Sequence, residues 1–156
     1  MYKLNIRKMT KKDEKFIIGL SARFTEFDFM EWRDSKKMKE AQFKMAEEAI
    51  NNTDPDSDIF VIEDEKETLL GFLHMTTNTD YFTGESQGYI SSIAVSKEGE
   101  GKGIARKLME KAEDWSKEKG FKQLTLNVFA GNERAVNFYS KLNYENEIIK
   151  MVKELK

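Results

Sequence analysis

The chain has 156 residues, with 26 Lys and Arg against 28 Asp and Glu, a formal net charge of −2, one proline, one histidine (His74) and no cysteine. That length supports one domain, 1–156, with a substantial core, and the missing basic excess argues against a nucleic-acid partner. Without cysteine there is no disulfide, thiol nucleophile or cysteine-held metal, and one histidine permits no histidine-rich metal site. No apolar run approaches membrane-spanning length and residues 1–10 lack a signal-peptide core, so a cytoplasmic protein with no membrane partner is expected.

Residues 2–7 (YKLNIR) alternate apolar and polar and predict a first strand. Thr10 followed by Asp13 resembles a capping box, after which Phe16, Ile17, Leu20 and Phe24 form a helical stripe. The aromatic stretch 27–32 (FDFMEW) suits a core-covering loop or a pocket wall. Asp34 or Ser35 caps a second helix to about Asn51, ended by the turn-forming NNTDPDSD at 51–58. Runs 59–62 (IFVI) and 69–75 (LLGFLHM) flank DEKE and predict a hairpin. The polar loop 78–87 is a surface connection or a substrate gate.

Residues 89–95 (YISSIAV) are β-type. From Gly103 the apolar positions Ile104, Ala105, Leu108, Met109, Ala112 and Trp115 take helical spacing instead. Between the two, Gly99, Gly101 and Gly103 free the backbone for positive φ at the start of a helix, where unpaired amides and the helix dipole favour an anion. The turn is no P-loop, because Gly103 rather than Ser or Thr follows Lys102, and Arg106 breaks the dinucleotide fingerprint. Gly120 supplies a C-cap. A strand at 123–129 (QLTLNVF), a helix at 132–142 ended by Asn143, and a last strand at 148–152 complete the order β-α-α-β-β-β-α-β-α-β, from which a mixed α/β sheet is expected.

Two motifs carry a resemblance to the GNAT superfamily of acetyl-CoA-dependent N-acetyltransferases. Its Gln/Arg-x-x-Gly-x-Gly/Ala signature resembles Glu100-Gly101-Lys102-Gly103-Ile104-Ala105, with Glu100 in place of Gln or Arg. Its Asn-x-x-Ala-x-x-Phe-Tyr pattern resembles Asn132, Ala135, Phe138 and Tyr139, followed by Asn143 where Gly is usual.

The resemblance implies a mixed, mostly antiparallel central sheet of six to seven strands flanked by about four helices, with acetyl-CoA a co-substrate lying where a splayed pair of strands opens. Amides of Gly101 to Ala105 would hold its pyrophosphate, with Lys102, Arg106 or Lys107 reaching other phosphate oxygens. The pantetheine arm would lie along Ile93, Ala94 and Val95, with Asn132, Ala135 and Phe138 on its other side. Glu100 is expected to weaken or rearrange that binding. A primary amine of a small molecule or peptide attacks the thioester directly in a ternary complex, and Tyr139 is the implied general acid for the departing sulfur. A phenol with pKa near ~10 is still protonated at neutral pH. The base stays open among Glu85, Tyr89, His74 and Glu31. Acidic residues Glu26, Asp28, Glu31, Asp80 and Glu85 would suit a cationic acceptor. A homodimer is expected from the resemblance, and a non-catalytic acyl-CoA-binding or sensing module is the alternative to an enzyme.

Overall fold

A computed structural model describes residues 3–52 and 54–156. In chain order the elements are β1 (Asn5–Lys8), α1 (Glu14–Leu20), α2 (Ser35–Ile50), β2 (Asp58–Glu63), β3 (Leu69–Thr79), β4 (Ser86–Val95), α3 (Ile104–Glu118), β5 (Leu124–Leu126) and α4 (Glu133–Lys141). One sheet runs β1-β2-β3-β4-β5, antiparallel up to β4 and parallel between β4 and β5.

Alternation along the strands sends side chains to two cores. Phe60, Ile62, Leu73, Met75 and Ile90 meet Ile104, Leu108, Met109, Ala112 and Trp115 of α3. On the opposite face Ile59, Val61, Phe72 and Ala94 meet Ile17 and Leu20 of α1. Trp115 donates its indole N–H to Asp58 at 2.8 Å, so burial of the ring leaves its one polar atom satisfied.

Local signals explain most boundaries. The Asp13 carboxylate accepts the Thr10 amide at 2.7 Å, and Asp34 accepts the Lys36 amide at 2.9 Å at the start of α2. Gly120 (φ +80°) and Asn143 (φ +70°) take the left-handed conformation after α3 and α4. At the first of these ends the Gly120 amide donates to Lys117 O at 2.9 Å.

A bulge shapes β4. His74 pairs with Ser92 and Met75 with Ile90, which leaves Ser91 as an extra residue in β4. Because of it, Ile90, Ile93 and Val95 all join the α3-side core, while Ala94 joins the other.

The sheet has five strands among the described residues rather than six or seven. The expected strand 148–152 does not form: residues 145–156 have no regular structure. The expected strand 123–129 shrinks to Leu124–Leu126, because β4 offers it partners only from Gly88 to Ile90. The first strand starts at Asn5, and Tyr2 lies outside the described residues. The α1 stripe reaches Phe24 through a 3-10 turn, Ser21–Thr25, after the α-helix stops at Leu20. In loop 78–87, residues 78 and 79 belong to β3 and residues 86 and 87 to β4. Residues 80–85 form a tight turn closed by Asp80 N to Glu85 O at 2.8 Å and Thr83 N to the Asp80 carboxylate at 2.8 Å, the geometry of an ordinary surface connection.

Candidate active site

β4 and β5 share three pairs, Gly88 with Leu124, Tyr89 with Thr125 and Ile90 with Leu126, and then part. β4 continues five residues to Val95, so Ser91 to Val95 have no β5 partner on that side. Close packing holds the strands to this course. A side chain on Gly88 would meet Ser116 Oγ of α3 at 2.2 Å.

β4 then runs into the glycine turn. The Ser96 hydroxyl accepts the Gly99 amide at 3.2 Å, closing a 3-10 turn over Lys97–Gly99. A Cβ on Gly99 would meet Leu70 O at 2.8 Å, so glycine is required there for close approach. Gly101 (φ +74°) and Gly103 (φ +72°) are left-handed, and a Cβ on either would meet nothing within 4 Å. The first helical hydrogen bond of α3 is Lys107 N to Gly103 O at 3.1 Å, and the amides of Ile104, Ala105 and Arg106 therefore have no acceptor inside the helix. Open space, exposed amides and a helix dipole fit a phosphate group.

Around the turn the charges are partly committed. Glu100 is ion-paired with Arg23 of the 3-10 turn after α1, and Arg23 also donates to the main-chain O of Val95 and approaches Glu26 at 3.3 Å. The Arg23 guanidinium, by hydrogen bond and charge, holds the Glu100 carboxyl below its ordinary range. Lys102 lies close enough to help hold down Asp64, after the larger effect of the Thr68 amide. Lys107 stands 3.8 Å from Glu110, and Arg106 is exposed on the first turn of α3.

The same loop that carries Arg23 crosses to the far side of the split. Phe27 packs on Phe129 with ring centroids 5.5 Å apart, and Arg33 lies over Trp32 at 4.3 Å and Phe129 at 5.2 Å. A Cβ on Gly131 would meet Asp28 O at 2.0 Å. Residues 21–33 thus touch β4 and the turn at one end and the β5–α4 connection at the other. The aromatic stretch packs against residues 129–131, a contact that both a core-covering loop and a pocket wall would make.

On α4, the Asn132 carbonyl oxygen caps the helix by accepting the Ala135 amide at 3.3 Å. Ala135 and Phe138 are half-buried on the same helix. Tyr139 stacks near Phe138 (5.5 Å) and Tyr144 (5.9 Å). Burial raises the Tyr139 phenol above its ordinary pKa and pushes Tyr144 up to about 12. Both phenols stay protonated at neutral pH.

The four candidates for the base are dispersed. Tyr89 lies one residue before the last β4–β5 pair, and its hydroxyl meets Asn127 Nδ2 at 3.2 Å. Glu85 is exposed at the other end of β4, five residues before Ile90 or about 17 Å along a strand. Glu31 is exposed beside the aromatic wall. His74 is buried between β2 and β4, with Nε2 2.8 Å from Ser57 Oγ, and burial lowers its pKa. The cavity beside it, lined by Phe24, Gln42, Phe72 and Ser92 among others, has about 10 Å³, room for one water. Its features are those of a structural histidine.

Sequence reading missed Arg23 and Asn127. Arg23 is one cation among many on a short helix, with its partners far away in the chain. Asn127 was read only as a strand residue.

The acetyltransferase (GNAT) family model matches residues 23–144. N-alpha-acetyltransferase 30 of Schizosaccharomyces pombe is 38% identical over 58 residues, 37% of this chain and 39% of that protein. The chain spans less than half the length of the curated relatives it matches. A candidate acetyl transferase from Pyrococcus furiosus superposes with a TM-score of 0.78 at 26% identity, over 98% of this chain and all of that one (100%). An aminoglycoside N-acetyltransferase in complex with CoA superposes with a TM-score of 0.72 at 17% identity, over 99% and 96% of the two chains, a likeness of fold. No helix among the described residues is long and apolar enough to cross a membrane. A match that begins at Arg23, ion-paired with Glu100 of the glycine turn, and ends at Tyr144, against Tyr139, takes in the whole candidate site, and the chain belongs to the GNAT family of acetyltransferases.

Proposed function

We propose that this protein transfers the acetyl group of acetyl-CoA to a primary amine of a small molecule or peptide, by direct attack within a ternary complex. The observation that carries the reading is the course of β4. It leaves β5 after Ile90, stays unpaired on that side through Val95, and ends in a left-handed glycine turn open to an anion at the N-terminus of α3. An unpaired strand offers main-chain groups to an amide-bearing arm, and the turn offers amides to a pyrophosphate.

In this reading the amides of Gly101 to Ala105 hold the pyrophosphate, with Lys102 and Arg106 beside them. Ile93, Ala94 and Val95 receive the arm, and Asn132, Ala135 and Phe138 border it from α4. Acetyl-CoA supplies an acyl carbon activated as a thioester. Tyr139, its phenol kept protonated by burial, donates a proton to the sulfur that leaves. As the acceptor nitrogen bonds to the acyl carbon and the carbon–sulfur bond breaks, the amine gives up one proton. Of the candidate bases only Tyr89 stands on the parting strands, and its hydroxyl, with Asn127 donating to its oxygen, is assigned to relay that proton, accepting it as it hands its own to water, which carries it away. The aromatic wall at 27–33 bounds the acceptor side.

Calorimetric titration with acetyl-CoA and a panel of amines scored by CoA thiol release test the reading. Saturable binding with acceptor-dependent release supports it. Binding without release from any amine makes the protein a CoA-binding module, and no saturable binding at millimolar acetyl-CoA overturns the cofactor assignment.

A further inference from the structure

Arg7, Arg23 and Arg33 are half-buried, and two of them are paired. Arg7 is held by Asp13 and Glu63, and Arg23 by Glu100 and the main-chain O of Val95. Arg33, two residues before α2, has neither an ion pair nor a side-chain hydrogen bond among the described residues. Its guanidinium lies on two rings instead, with Cζ 4.3 Å from the centroid of Trp32 and 5.2 Å from that of Phe129. Ring faces attract the charge, but they leave the planar fork of N–H donors without oxygen acceptors from the protein.

The carboxylates of the same loop are not its partners. Asp34 accepts the Lys36 and Lys37 amides at the start of α2, and Glu26 lies 3.3 Å from Arg23. Asp28 and Glu31 are exposed, with no ion pair among the described residues. The surface beside the fork is apolar and open: Trp32, Phe129 and Met30 are 42%, 38% and 50% exposed. The Trp32 indole N–H meets Met30 Sδ at 3.4 Å, so the ring's one polar atom is turned to its own loop. Phe129 stands two residues beyond Asn127, at most about 7 Å along the backbone, and Asn127 donates to the Tyr89 hydroxyl. The cation and its rings therefore border the β5 side of the opening, close in the chain to the residue that holds the proton relay.

We propose that Arg33 determines which acceptor is acetylated, by receiving a carboxylate of the acceptor on its guanidinium while the acceptor's apolar body lies over Trp32 and Phe129. The acceptor class is an amine that carries its own carboxylate on an apolar or aromatic body, not a polycation. This rests on the acetyltransferase reading above; the carboxylate is bound unchanged and the acetyl group passes to the amine. A carboxylate matches the fork with two parallel N–H···O bonds, and a half-buried cation without a counter-charge gains most from them. Asp28 and Glu31 on the same loop disfavour a second negative charge, so one carboxylate suits the site better than two.

Rates of CoA thiol release for two matched pairs of acceptors test this: phenylalanine with phenylalanine amide, and ε-aminocaproate with its amide. The parent is expected to acetylate the carboxylate member of at least one pair. Arg33→Gln should lower kcat/KM for that member at least about tenfold, through KM, and leave its amide within about twofold. Each acceptor is its own reference between parent and variant, which cancels differences in amine basicity. Arg33→Lys, a charge without the fork, should fall between the two. An unchanged melting temperature reports that the loop still packs. Phenylpropionate, with the carboxylate and ring but no amine, gives a readout that needs no turnover. It should quench the exposed Trp32 saturably in the parent and about tenfold more weakly in Arg33→Gln. If no amine of any kind releases CoA, the acetyltransferase reading fails and takes this one with it. If amines are acetylated but only the amides are used, or Arg33→Gln lowers both members of a pair alike, or quenching does not depend on Arg33, this proposal is overturned and that reading stands.

Discussion

Arg23 and Glu100, 77 positions apart in the chain, form an ion pair at the mouth of the glycine turn, and the same guanidinium holds the last main-chain oxygen of β4. The acidic side chain that stands where the family has Gln or Arg is therefore neutralised by a cation from another element. Arg23→Ala leaves that carboxylate uncompensated beside the anion site and should weaken acetyl-CoA binding on the order of fivefold at low salt, less as salt rises. Glu100→Gln alone should not weaken it, and Arg23→Ala with Glu100→Gln should recover most of the loss. Titration of the four proteins at two ionic strengths checks this. Equal affinities throughout would place both side chains outside the cofactor's field.

Gly101 and Gly103 combine positive φ with open space on the side of the missing Cβ. Gly103→Ala should lower stability by about 1 kcal/mol, because a left-handed alanine is strained. Acetyl-CoA affinity should fall by more than about tenfold, since the methyl group occupies the anion's approach to the amides. A thermal melt and a binding isotherm separate the two effects, and Gly84→Ala, also at positive φ but in the β3–β4 turn, is the control that should change stability alone.

Tyr139→Phe removes one hydroxyl from a packed ring. Turnover is expected to fall by about 10² to 10³ with acetyl-CoA affinity kept within about twofold, the pattern of a group acting on the leaving atom. Stability should change little, as the ring contacts to Phe138 and Tyr144 remain. Unchanged turnover would reduce Tyr139 to a packing residue.

His74 sets the first part of the acid limb. Its pKa in the fold lies below the ordinary value, so its contribution is present above about pH 6.5, the unfolded value, and is lost as pH falls through the folded one. His74→Gln, which can keep a bond to Ser57, should flatten the melting temperature between pH 6.5 and 5.5 without altering its slope near pH 4. Differential scanning calorimetry in that window checks it.

Arg7 holds two acidic groups in place, with Asp13 at 2.7 Å and Glu63 at 3.2 Å. Its hydrogen bonds keep both carboxyls below their ordinary pKa, so their contribution is full above about pH 4 and disappears as pH drops through the folded values. Asp13 is buried, and Arg7→Ala strands it. The expected loss is about 2 kcal/mol, below the range for fully enclosed pairs because Arg7 keeps 31% of its side chain exposed. Denaturant unfolding at pH 7 measures it, and the gap between parent and variant should narrow progressively as pH falls below about 4.

The glycine turn was legible because its signals are local. A change of period, three glycines and a helix stripe all fall within residues 89–115, and the chain adopts that strand, turn and helix. The Asn132 cap and the Asn143 left-handed stop were equally local. Arg23 was not legible, since nothing near it in sequence marks one arginine as the partner of a residue 77 positions on. The strand at 123–129 was overestimated because its length is set by β4, which turns away after Ile90. At 148–152 the composition of a strand is present and the neighbour that a strand requires is missing from the sheet.

Ser91 adds one residue to β4, and its consequence is a matter of phase. Up to Ile90 the side chains bound for α3 occupy even positions, and beyond the bulge they occupy odd ones, Ile93 and Val95. Loss of residue 91 alone would leave every later side chain on its present face, because Ile90 and Ser92 would become consecutive opposite Met75 and His74, with Ile93 and Val95 still toward α3 and Ala94 away from it. What the extra residue adds is a local bend and stronger twist one residue beyond the last pair with β5. Deletion at 91 should therefore spare both cores and alter the opening beside β5, whereas deletion of any one residue from 92 to 94 without loss of the bulge would exchange the faces that follow it.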